Sequence, residues 1–221
     1  MNVAWALLWK DLVSEWRSRD RLVAMAVFSF LVVIVFQFAW PRMEPDQMLR
    51  LAPGVLWVTY LFAAVIGLGR TFALELENDA MTALALAPGT RGWIFLGKAG
   101  ATWVLITLVQ AMTAFVFALF FRVDLSVDLF GFATIVALAN VGICSVGTLL
   151  SAMSVRSRFR DVLLPILLIP TLIPVLTSAV LGTRATLAGE GLPFDALQTL
   201  MVIDGVYLVL SFLLFDFVLD E

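Results

Sequence analysis

The sequence predicts an all-α, polytopic integral membrane protein, with six transmembrane helices behind an N-terminal interfacial helix. Composition and span count carry that prediction. Of 221 residues, 62% are hydrophobic and only 14% charged, against about 25% charged in ordinary soluble domains, and the mean hydropathy is +1.02. Apolar runs near the roughly 20 residues that cross a bilayer recur at 22–40, 52–69, 99–121, 129–153, 162–182 and 196–219. His is absent, so no imidazole is available as base, metal ligand or haem ligand. The single Cys, Cys144, excludes an internal disulfide and reads as a small packing residue. Loops are short and no repeat is visible, which predicts one membrane domain over 22–219, after a segment 1–21 and before a short end at 220–221.

Taken in order, residues 2–20 read NVAWALLWKDLVSEWRSRD. Trp5, Leu8, Trp9, Leu12, Val13 and Trp16 recur at helical spacing on one face, and Lys10, Ser14, Arg17 and Ser18 fall on another. A Trp-rich amphipathic helix of this kind lies in the membrane interface. It anchors the first span, and in a sharper reading also touches a cytoplasmic partner. The first span carries no charge and is followed by Trp40-Pro41 rather than a small-residue cleavage site, so it is expected to stay as a span.

Six spans put both ends on one side. Lys10, Arg17, Arg19 and Arg21, then Arg70, Arg91 and Lys98, then Arg156, Arg158 and Arg160 fall together, ten basic residues against Arg42, Arg50, Arg122 and Arg184 opposite. An excess of Lys and Arg marks the cytoplasm, so both termini and the loops at 70–98 and 154–161 are expected there. In the second of these loops the arginines and Asp161 are read as a topology signal or, less directly, as a partner contact.

The 70–98 loop is long and patterned. Near its end, Gly92, four residues, then Gly97-Lys98 reproduce most of an ATP-binding loop. Such a loop follows a buried strand, opens a helix and ends on Ser or Thr, which holds magnesium. Here no strand precedes Gly92, Ala99 takes the hydroxyl position, and the four residues between are Trp, Ile, Phe and Leu. The match is coincidental, and Lys98 reads as an interfacial charge at the start of the third span. Upstream, Glu75, Glu77 and Asp79 lead into Met81, Leu84 and Leu86 before Pro88-Gly89 breaks the run. Acids in a first turn suit the helix dipole, so a short helix that a separate ATPase could push is expected.

Those residues carry a family resemblance. Glu75-Leu76-Glu77-Asn78, Leu84, Leu86-Ala87-Pro88, Arg91 and Ile94-Phe95-Leu96-Gly97-Lys98 resemble the coupling segment of ABC exporter permeases, with Asp79 and Ala80 where those usually carry Gly and Thr. The Pro-rich fifth span LLPILLIPTLIPVL at 163–176, the length and the span count narrow the resemblance to the CcmB family. That resemblance implies a non-catalytic permease subunit of the bacterial inner membrane, working in cytochrome c maturation. It implies ATP and magnesium in a CcmA-like ATPase subunit, CcmC-like and CcmD-like membrane partners, a CcmE-like haem chaperone and two permease copies per complex. Haem is then a possible substrate rather than a resident cofactor. Neither a nucleic-acid partner nor a metal is expected. The coupling residues it implies are Glu75, Glu77, Asp79, Leu84, Leu86, Pro88, Arg91 and Lys98.

Within the spans, Pro165, Pro170 and Pro174 each remove a backbone hydrogen bond, making either a moving hinge or a static kink. The stretch after Pro174, through Thr183 and Gly189 to Pro193, is expected to turn back on the outer side and shorten the fifth helix. Asp204 lies eight residues into the sixth span, about 12 Å deep. It either faces a partner inside the membrane or, if Gly205 delays the helix, sits at the outer interface; Asp216 lies near the inner end. Three functions remain to compare. The first is a permease driven by a separate ATPase, for haem or another apolar substrate. The second is a scaffold that passes ATP-driven motion to haem-handling partners. The third, an intramembrane enzyme, lacks the inventory, since there is no His and Asp204 and Asp216 share one helix.

Overall fold

The computed structural model describes residues 3–40, 44–72, 75–76, 91–155 and 157–218. Among them the chain is all-helical: α1 Val3–Ser18, α2 Asp20–Ala39, α3 Pro45–Gly69, α4 Arg91–Phe121, α5 Leu129–Ser154, α6 Arg160–Leu187 and α7 Phe194–Val218. Helices α2 to α7 are long and apolar enough to cross a membrane. Six spans were expected and six are found. Glu77, Asp79, Leu84, Leu86 and Pro88 of the expected coupling segment lie outside the described residues.

α1 turns into α2 through one residue, Arg19, in the left-handed region at φ 59°. The corner is held from inside, because the Glu15 carboxylate accepts the Leu22 backbone N–H at 3.0 Å. It thereby satisfies one of the orphan donors that begin any helix.

α5 is the hub, packing against α3, α4, α6 and α7. Its buried side is built from small residues, among them Ala139, Gly142, Cys144, Ser145, Gly147 and Ala152. In lipid no hydrophobic force drives helices together, so close approach over small residues holds the bundle. A Cβ added at Gly147 would lie 2.7 Å from Leu68 Cδ2 of α3. Around this hub, Trp57, Tyr60 and Phe117 fill the interior. The polar ends of the first two are satisfied across helices: Trp57 Nε1–H donates to Thr183 Oγ1 at 2.9 Å, and Tyr60 O–H to the Gln110 backbone carbonyl at 3.0 Å.

α6 corrects one expectation. The fifth helix is not shortened after Pro174 but runs unbroken for 28 residues to Leu187. Thr183 is buried as the acceptor for Trp57, and Gly182 is a packing contact, where a Cβ would sit 2.6 Å from Ile135 Cδ1. The stop comes at Gly189, φ 73°. Its N–H donates to Thr186 O at 3.1 Å, and the Glu190 N–H reaches Ala185 O at 3.0 Å. This glycine-centred pattern closes helix C-termini, and the outer turn is confined to the residues between Leu187 and Phe194.

Candidate functional site

α1 lies directly on the N-terminal half of α4. The approach depends on Gly97, where a Cβ would sit 2.6 Å from the Ala4 carbonyl oxygen and 3.0 Å from Leu7 Cβ. Trp5, Trp9 and Trp16 point the other way and are 57%, 62% and 68% exposed. The interfacial helix therefore has a Trp face turned outward and a face of Ala4, Leu7, Asp11 and Glu15 turned to protein. The acids on that second face were not singled out in the sequence. Their spacing of four, in line with Ala4 and Leu7, is the signal that was available.

Under α1 sits a cluster of charges. Lys98 is 1% exposed, so it is not the interfacial charge the sequence suggested. The apolar run of α4 starts before Lys98, at Arg91, and α1 covers the ammonium. Lys98 Nζ lies 3.0 Å from Asp11 Oδ2 and 2.7 Å from Glu75 Oε1, and donates to the Thr71 carbonyl at 3.2 Å. An ammonium has three protons, and these acceptors use all of them. Phe72 adds its ring face, with the nitrogen 5.2 Å from the centroid. Lys10 completes the group, 2.5 Å from the same Glu75 oxygen and 3.3 Å from Asp11 Oδ1. Two ammonium groups thus face two carboxylates.

Burial alone would raise the Glu75 carboxyl, but the Lys98 charge and the hydrogen bonds from both lysines outweigh it and hold the group below its ordinary value. For Lys10, burial pulls downward, yet Glu75 and Asp11 together hold the ammonium above its ordinary value. Next to this cluster, Arg21 is 8% exposed, with Nε 4.0 Å from Glu15 Oε2. Its other nitrogens reach Thr71 and Thr102 hydroxyls only at 3.5 Å.

Arg91 is tied differently. Arg91 Nη1 donates to the Asp216 backbone carbonyl at 2.9 Å, joining the start of α4 to the last turn of α7. Of the expected coupling residues, the structure therefore brings Glu75 and Lys98 into one ion cluster and sets Arg91 apart, on α7.

Pro165, Pro170 and Pro174 lie inside the continuous α6. Leu164, Leu168, Leu172, Val175 and Ala179 form its buried stripe, so Pro170 and Pro174 fall on the outer side. Tyr207 O–H of α7 donates to the Thr171 carbonyl at 2.6 Å, one residue beyond the carbonyl that Pro174 leaves without a helical partner. Asp204 is 4% exposed. It stands ten residues into α7, about 15 Å along the axis, against Gly142 of α5. The helix is not delayed by Gly205. Neither carboxyl oxygen of Asp204 finds a hydrogen-bond partner among the described residues. Asp204 packs on Gly142 and shares no partner with the ion cluster among the described residues, so the candidate residues form separate places rather than one pocket.

A family model described as CcmB protein matches residues 2–218. Among curated proteins, the chain is 30% identical to a heme exporter protein B of Paracoccus denitrificans over 206 residues, covering 93% of each chain. It is 29% identical over 191 residues to that of Rhodobacter capsulatus, covering 86% of this chain and 85% of the other. With the Bradyrhizobium diazoefficiens protein of the same name, the figures are 26% over 212 residues and 93% of both.

Proposed function

The chain belongs to the CcmB protein family, and we propose that it is the membrane-spanning subunit of an ABC-type haem exporter acting in cytochrome c maturation. The relatives at 26–30% identity are named heme exporter protein B, and six apolar helices give a multi-pass membrane subunit. In this reading the subunit hydrolyses nothing itself. A CcmA-like ATPase docks on the 70–98 segment from the cytoplasm of a bacterial cell, where both termini also lie. CcmC-like and CcmD-like proteins and a CcmE-like chaperone handle haem beside it, and two copies of this chain serve each complex.

The observation that carries the coupling role is the Lys98 node. One ammonium joins α1 through Asp11, the coupling segment through Glu75 and α4, on which it stands. α4 is 31 residues long, about 46 Å at 1.5 Å per residue. A displacement of Glu75 is passed to this helix and to α1 together, and Arg91 passes the other end to α7. Haem moved by this subunit would be held without imidazole, since the chain has no His.

A second reading is favoured by the filling of the interior with Trp57, Tyr60 and Phe117: the subunit passes ATP-driven motion to haem-handling partners and releases the loaded chaperone without conducting haem. Purification of the tagged protein from its own membrane in mild detergent, with mass spectrometry of its companions, tests the assignment. An ABC ATPase with CcmC-like and CcmD-like proteins is expected. An ATPase with other partners removes haem from the reading, and an intact preparation without an ATPase removes the coupling role.

A further inference from the structure

α2 and α6 both pack on α3, and between them, on the face that carries the Arg-rich loops, opens a cleft of about 620 Å³ walled also by the end of α5. The haem reading does not use it, and of the ion cluster's residues it shares Phe72. Its charges have a pattern. Arg21 lines it while more than nine-tenths buried, and Arg21 Nε has no hydrogen-bond partner among the described residues. The remaining Arg21 contacts, at 3.5 Å, are at the edge of a hydrogen bond. Arg70 stands exposed at the rim and forms no ion pair among the described residues, and Arg160 closes the other wall. Carboxylates are interleaved: Glu15 and Asp20 belong to the same lining, and Asp161 lies beside Arg160 at 3.7 Å.

The cleft also continues into an apolar surface. A groove along α2, floored by Ile66 of α3, shares Asp20, Ile66 and Arg70 with it and runs through Val23, Val27 and Leu31. From Asp20 to Leu31 is about 16 Å of helix at 1.5 Å per residue, close to half of the ~30 Å hydrocarbon thickness. Guanidinium groups that could take a phosphate, carboxylates that could take an ammonium and a one-leaflet apolar track leading away are thus contiguous.

We propose that this cleft and groove form a binding site for one zwitterionic glycerophospholipid of the adjoining leaflet, with an ethanolamine head. The phosphate sits between Arg21 and Arg70, the head ammonium faces Asp20 and Asp161, and an acyl chain follows the α2 groove. Arginine suits this role because its planar fork presents paired donors to phosphate oxygens. The Arg21 Nε edge faces Glu15 Oε2, so the phosphate would take the Nη donors, whose contacts to the Thr71 and Thr102 hydroxyls reach only 3.5 Å. Since Glu15 lines the same cleft and lies 4.0 Å from Arg21 Nε, the lipid would be tied to the α1–α2 corner.

The test reconstitutes the full chain in nanodiscs containing a phosphatidylethanolamine with a photoactivatable acyl chain and maps the crosslinked residues. Crosslinks should concentrate on residues 23–31 and the end of α3. Arg70→Ala removes an exposed side chain and spares the fold. It should lower those crosslinks about fivefold, the change expected from one phosphate-facing arginine near the surface, while labelling of the outer faces of α4 and α7 stays constant. A phosphatidylglycerol probe should show less enrichment, since it has no ammonium for Asp20 and Asp161. Labelling spread evenly over every exposed helix, or enrichment at the groove that Arg70→Ala and Arg21→Gln both leave unchanged, would overturn the proposal. Neither result bears on the ATPase or haem reading.

Discussion

Replacing Lys98 by Met keeps the length of the side chain and removes its charge. In the native protein Lys98 and Lys10 balance Asp11 and Glu75. After the change, Lys10, itself 51% exposed, must serve both carboxylates. Glu75 is 4% exposed, so one negative charge is left buried and undercompensated. Removing one partner of a buried ion pair costs about 3–5 kcal/mol, whereas an exposed pair is worth about 0–1 kcal/mol. The larger figure applies here because α1 covers the site and the Thr71 carbonyl loses its donor as well. The cost should appear as release of α1 from α4. Hydrogen exchange of the Val3–Ser18 amides, measured in detergent at neutral pH, reads it directly. A rise in exchange of about a hundredfold or more is expected, the equivalent of about 3 kcal/mol. The pH dependence gives a second check. The native Glu75 carboxyl is held below its ordinary value, so its contribution is present above the ordinary carboxylate range. It is lost as pH falls through the folded value. Acidification should therefore loosen α1 in the native protein. In Lys98→Met the main opponent of burial is gone, the carboxyl moves upward, and acidification should tighten the docking instead. A change in exchange of less than about fivefold, near the value of a surface pair, would refute the buried-cluster argument.

Gly97→Val places a branched side chain where the Ala4 carbonyl and Leu7 already lie. Overpacking costs about 1–3 kcal/mol, so α1 should undock by the same exchange measurement while all six spans still insert. Leu84→Asp puts a charge among the apolar residues Met81, Leu84 and Leu86 of the proposed coupling segment. It should abolish stimulation of ATP hydrolysis in the purified complex with membrane insertion intact, and unchanged stimulation would remove the segment's role. Pro170→Ala returns an N–H to the Ile166 carbonyl and closes that gap in the α6 hydrogen-bond ladder. It should leave the complex assembled and impair cytochrome c maturation, and full activity would make the three prolines a static bend.

The number of spans was legible because hydropathy is additive along the chain and needs no knowledge of packing. Their ends were less so. The third span was expected from 99 because Lys98 looked like a stop, yet the helix begins at Arg91. An ammonium whose partners sit on two other segments reads, in a window of sequence, the same as one in water. The fifth helix was expected to turn back after Pro174, through Thr183 and Gly189 to Pro193; the places of Gly182 and Thr183 inside the helix depend on Ile135 and Trp57, far away in the chain. The Trp face of α1 was visible, but the acids of its second face had meaning only once Lys98 and Arg21 were placed opposite them. Asp204 was visible as a charge in a span. Its burial could not be read, because it rests on a glycine of another helix.

The Lys98 cluster raises the question of why ions hold a place that apolar residues could hold more firmly. Buried pairs replaced by well-packed apolar groups are often as stable or more so, by about 1–4 kcal/mol, so stability alone does not account for the cluster. What the ions supply is a fixed partner: Glu75 meets Lys98 and Lys10 in one register, and a slipped coupling segment would leave charges unpaired. The charge-balanced double variant Lys98→Met with Glu75→Gln separates the two roles. It leaves Lys10 paired with Asp11 and buries no excess charge. The exchange of α1 should therefore return to within about tenfold of the native value, well below that of Lys98→Met alone. Stimulated ATP hydrolysis in the complex should nevertheless stay lost, because the segment is no longer fastened to α4. A double variant that restores both would reduce the cluster to a structural pair, and the route from the coupling segment into the bundle would have to run through Arg91 and α7 instead.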